Sequence, residues 1–134
     1  MKKTFLVILF VLSALCSNAE TIWYKSFSFA MKYVDEYGYW TSWTDWSESN
    51  VKIAIDDEED IITIYSKTPQ VYIVKRYNGS YYDDKGGRQA SFNVIDQDMD
   101  NGLIRLRVER NGNSQIYVQF ADIIWVYNVK RIYR

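Results

Sequence analysis

The sequence predicts an all-β protein, an antiparallel meander of about eight strands. Three observations predict it. Apolar and polar residues alternate with a period near two through most of the chain after Ile22. Turn signals, Asn78-Gly79, Asn101-Gly102 and Asn111-Gly112 above all, separate the alternating runs. No run repeats its apolar residues at the spacing of a helix.

The first segment stands apart. Met1–Ala19 has a positive start at Lys2 and Lys3, an unbroken apolar run Phe5–Leu12, and small residues in Ser17-Asn18-Ala19. This is the pattern of a secretory signal peptide cleaved after Ala19. The apolar run is shorter than the roughly 20 residues a membrane-spanning helix needs. Cys16 raises the question of a lipid anchor, but Leu15 stands before it where lipoprotein processing wants a small residue. The expectation is a secreted or periplasmic protein, Glu20–Arg134 forming one all-β domain. No second apolar segment follows, so no transmembrane segment is expected. Cleavage leaves 14 basic residues against 17 acidic, a net charge of −3, and removes the only Cys. Such a domain is held together by its core, without disulfides.

Taken in order, Ile22–Val34 places Phe27, Phe29, Met31 and Tyr33 on one face and Ser26, Ser28, Ala30 and Lys32 on the other. Asp35-Glu36-Tyr37-Gly38 reads as a turn or break. Asn50–Ile55 groups Val51, Ile53 and Ile55, and Ile61–Ser66 follows the acidic run Asp56–Asp60, so the pair reads as a hairpin. Pro69 precedes a strand over Gln70–Tyr77, which ends at the Asn78-Gly79 turn signal. Ser80–Arg88 reads as a polar, mobile loop. Ala90–Ile95, Leu103–Arg110, Gln115–Phe120 and Ile123–Ile132 are the remaining strands. Asp96–Gly102 and Asn111-Gly112 are the turns between them, with Asp122 marking another. Eight strands of this kind close into a small barrel of lipocalin-like architecture, with a filled interior or room for one small ligand. The opening G-x-W of true lipocalins is absent. An open barrel or a β-sandwich is the alternative.

The stretch Tyr37–Trp46, Y-G-Y-W-T-S-W-T-D-W, holds Trp40, Trp43 and Trp46, three of the five Trp. A spacing of three fits neither strand nor helix. It fits a twisted extended segment of polyproline type, which would align the three indoles and Tyr37. Such side chains are either core and strand-pairing residues or an exposed stacking platform. The pattern W-x-x-W-x-x-W resembles the Trp ladder of thrombospondin type 1 repeats, over about ten residues. The resemblance implies cations from a neighbouring strand between the indoles, and Arg105, Arg107 and Arg110 are the candidates. Periodicity sets Arg105 and Arg107 opposite Ile104, Leu106 and Val108, able to cover Gln115, Tyr117 and Gln119 on the next strand.

Composition excludes much chemistry. The chain has no His, which removes the commonest general base and metal ligand. Without a mature Cys, thiol catalysis and Cys-type zinc sites go as well. No glycine-rich phosphate loop opens a helix. Asp45 and Glu48 beside the Trp residues are the only hint of a carboxylate hydrolase, and solvated strand-end acids explain them better. Asp96, Asp98 and Asp100 alternate as calcium ligands can, yet Asn101 and Arg107 stand where an EF-hand loop has Gly and Glu. An acidic turn is the plainer reading, and no metal or cofactor is expected. Glu20–Ser66 carries a net −7 and Lys67–Arg134 a net +4, an asymmetry that could steer a partner, while nucleic acid is a poor candidate. The sequence therefore points to a non-enzymatic binding protein. It would hold a small apolar or glycan ligand through Tyr37, Trp40, Trp43, Trp46, Arg105 and Arg107. A protein-interaction or inhibitor module with a secreted partner is the alternative.

Overall fold

A computed structural model describes residues 21–133. The signal segment, its cleavage site and Cys16 lie outside the described residues. Among the described residues nine strands form: β1 (Ile22–Tyr33), β2 (Ser47–Glu48), β3 (Lys52–Asp56), β4 (Ile61–Tyr65), β5 (Gln70–Tyr82), β6 (Arg88–Ile95), β7 (Asn101–Val108), β8 (Ser114–Gln119) and β9 (Ile123–Ile132). All pair antiparallel in a meander from β3 to β9. β1 lies between β3 and β9 and closes eight strands into a barrel, the small lipocalin-like architecture expected from the sequence. β2 is an extra strand on β1.

Period-two alternation makes this barrel because one face of every strand is apolar. Ile53, Ile62, Ile64, Val94, Ile104, Ile116 and Val118 are each under 2 % exposed and belong to one cluster. The middle of the barrel is thus filled by side chains.

Three sequence expectations are corrected by backbone irregularities. The pairing of β1 with β9 shifts between Ser26 and Ser28, so one residue of β1 is extra. Tyr24 and Ser26 face inward before the bulge, Phe29 packs on the core after it, and Phe27 is turned outward, half exposed. The Ser26 hydroxyl bonds Ser49 Oγ at 2.7 Å and accepts the Val51 N–H at 2.9 Å, which fixes the bulge.

Asn78-Gly79 is not a turn. β5 runs on to Tyr82, with register shifts between Val74 and Arg76 and between Tyr77 and Ser80. Gly79, at φ 87°, absorbs the second shift in a conformation closed to most residues. Ser80–Tyr82 and Arg88 are therefore paired strand, and the connection narrows to Asp83–Gly87. There the Asp83 carboxylate accepts the N–H groups of Lys85 and Gly87, the Gln89 amide and Arg107 Nε.

Asn101-Gly102 likewise opens β7, and the turn before it is closed by Asp96 with Met99 at φ 69°. Gly102 is needed for space: a Cβ there would come within 2.7 Å of the Phe120 ring. The expected turns at Asp35–Gly38, Asp56–Asp60 and Asn111-Gly112 are observed. The acidic half, β1–β4, and the basic half, β5–β9, are neighbouring walls of the barrel.

Candidate binding surface

The first half of β1 pairs β3, but its second half extends beyond that short strand. The Trp stretch fills the open edge. Trp40 bridges to Val34, Thr41 N donates to the Tyr33 carbonyl, Thr44 N donates to the Met31 carbonyl, and Ser47 pairs with Phe29. The segment advances three residues for every two of β1. This is how an extended chain of near-threefold twist can follow a strand of twofold period. The hydroxyls of Thr41 and Thr44 accept the Tyr33 and Met31 N–H groups at 3.1 and 3.0 Å. Threonine at spacing three thus docks the segment.

Lys32, on the outer face of β1, sets its ammonium 5.6 Å from the Trp40 ring centroid and 5.0 Å from that of Trp43. The cation between two indoles is therefore Lys32, and not Arg105, Arg107 or Arg110. Trp43 meets Tyr117 of β8 edge to face, centroids 6.4 Å apart. Between β1 and Tyr117 on this outer face stand Ala30 of β1 and Val126 of β9, which pair with each other, and Val126 pairs in turn with Tyr117. Both are buried, at 2 % and 3 %, although they stand outside the interior cluster. Arg105 then lies 4.2 Å from the Tyr117 ring and donates to Gln89 at 3.1 Å. The result is a ribbon on the outside of the barrel: Trp40, Lys32, Trp43, Tyr117, Arg105.

Of the residues singled out from the sequence, Trp40, Trp43 and Arg105 join this ribbon. Trp46 lies farther along the same segment, 52 % exposed, and Tyr37 sits in the preceding turn, 77 % exposed, without a ring partner among the described residues. Arg107 is held elsewhere, by Asp83 at 2.9 Å and Glu109 at 3.0 Å. The carboxylate oxygens of Asp96, Asp98 and Asp100 gather within 4.8 Å at the far end of the β6–β7 turn. The sequence places Tyr117 under Arg105 and Arg107, and Arg105 does lie over it, but it gives neither Tyr117 nor Lys32 a place beside the indoles. Lys32 alternates correctly as an outward residue, and its role depends on the Trp segment folding back onto β1. Tyr117 becomes a partner only because barrel closure brings β8 within reach of β1.

The ribbon offers indole and phenol faces, two cations and polar tips from Asn128, Gln115 and Ser28, which bond one another at 3.1 and 2.8 Å. Chemically it can stack a flat, partly apolar surface and hydrogen-bond its edges. No known family model, curated protein or solved structure matches the chain.

Proposed function

We propose that this protein is a secreted, non-enzymatic binding protein that holds a glycan on its outer aromatic ribbon. The observation that carries the reading is Trp40 and Trp43, 44 % and 42 % exposed, fixed side by side around Lys32 with Tyr117 beyond them. Sugars present C–H faces and hydroxyl edges, which match aromatic faces with polar neighbours. The filled interior favours this surface over a small apolar ligand held inside. The segment Met1–Ala19 would deliver the protein to the compartment where glycans are met, and intact-mass measurement of exported protein tests cleavage after Ala19.

A glycan array followed by titration of the best hit tests the binding. Trp43→Ala and Tyr117→Ala should each weaken it about tenfold or more, with melting temperature measured alongside. Undiminished affinity in a folded Trp43→Ala variant would overturn the reading. One observation favours a second reading, a protein partner: Tyr37 and Tyr39, 77 % and 72 % exposed, continue the aromatic surface past the Trp stretch. Binding that needs both tyrosines and no sugar would support it.

A further inference from the structure

We propose that the mouth of the barrel beside the β6–β7 and β8–β9 turns is a binding site for a small organic ammonium ion. The site is separate from the Trp ribbon and lies on the inward-facing side of the strands. It is a cleft of about 510 Å³, within the range typical of small-molecule sites. Its floor is aromatic. Tyr72 and Phe120 have centroids 6.2 Å apart, and Phe120 stacks on Trp125 at 6.1 Å with the planes 21° apart. Asp96, Asp100 and Asp122 line the same cleft.

Three features select the charge of the occupant. Among the described residues no Lys or Arg lines this cleft, and none of its carboxylates has an ion-pair partner. The charged side chains of the lining are thus all acidic, beside the partly buried rings of Phe120 and Trp125. The field reaches the floor: burial first, then Tyr127 and Asp96, push the Tyr72 phenol above its ordinary value. An anion would be repelled. A neutral apolar ligand would gain nothing from the acids. An ammonium ion satisfies both parts, its charge with the carboxylates and its alkyl groups against the ring faces.

The floor is also built to stay in place. Phe120 is seated on Gly102, where any side chain would collide with it, and Phe120 N donates to the Ile123 carbonyl. Asp96 holds the rim by accepting the N–H groups of Asp98 and Asp100 at 2.9 and 2.8 Å. The free carboxylates for a ligand are those of Asp100 and Asp122, which bond no described residue, so they can be altered without disturbing the turn.

The experiment is calorimetric titration of the purified protein with benzyltrimethylammonium at low salt, beside its neutral carbon isostere. Amide chemical shifts locate the site. The expected result is saturable binding of the cation, shifts at Asp100–Asn101 and Phe120–Trp125, and affinity for the isostere lower by about tenfold or more. Asp100→Asn with Asp122→Asn should weaken the cation by about tenfold while leaving the melting temperature close to wild type. Trp125→Leu provides a second, independent loss from the aromatic side. Equal binding of the isostere would overturn the proposal. So would cation-induced shifts at Trp40 and Trp43 alone, or calcium binding at Asp96–Asp100 with no response to the ammonium probe.

Discussion

At the scale of single residues, Asp83 and Gly102 show how local chemistry is set by neighbours far along the chain. The Asp83 carboxylate is brought down to about 2 chiefly by the Gln89 side-chain hydrogen bond, against partial desolvation and aided by Arg107 and the amides of Gly87 and Lys85. Its folded value lies below its ordinary one, so the stability it contributes is present above pH 4 or so and is lost as the pH falls toward 2. Denaturant midpoints for wild type and Asp83→Asn should differ at pH 7 and converge by about pH 2. A gap that persists in acid would mean the effect is packing and not charge. Gly102→Ala should lower stability by about 1–3 kcal/mol, because its methyl group meets the Phe120 ring. Thermal melts of the single variant and of Gly102→Ala with Phe120→Leu test this, since the smaller side chain should recover part of the loss.

At the scale of elements, the segment 40–49 acts as a partial strand that covers what β3 leaves open. Its attachment depends on Thr41 and Thr44, each giving an N–H to a β1 carbonyl and a hydroxyl to a β1 N–H. Replacing Thr44 by Val should cost about 1 kcal/mol and leave the Met31 amide without its acceptor. Hydrogen exchange at Met31 should then quicken while exchange in β7 and β8 is unchanged; equal acceleration throughout would show that the segment does not open on its own. Ala30 and Val126 are buried on the outer face beside Lys32 and Tyr117, the two residues that Trp43 meets.

At the scale of the whole molecule, closure by the long β1–β9 pairing turns eight strands into a packed object, since each inner face alone is a half-covered apolar sheet. Ile116, 1 % exposed in the interior cluster, tests how tightly that object is filled. Ile116→Ala should cost about 2–5 kcal/mol in denaturant unfolding, and a cost under about 1 kcal/mol would mean the interior collapses around the gap or is looser than it looks. Barrel closure also separates two chemistries. The cation-bearing ribbon lies outside on β1, β7, β8 and the Trp segment, and the acid-rimmed aromatic cleft opens at one end.

The sequence by itself determined the all-β class, the eight barrel strands and most turns, because period-two alternation and Asx or Gly turn chemistry are local properties. It also marked Trp40, Trp43 and Arg105, since large aromatics at a spacing of three and an outward Arg are visible without a fold. Only the tertiary structure decided the rest. The bulge beyond Ser26 reverses the face of Phe27, and an extra residue leaves no local mark when both faces are half apolar. Gly79 and Gly102 read as turns because the sequence does not distinguish a glycine needed for backbone freedom from one needed for space. Lys32, in place of a distant arginine, lies between the indoles because the segment returns along β1 itself. Tyr117 meets Trp43 because the barrel closes, and contacts across a closure depend on pairing that no single stretch encodes.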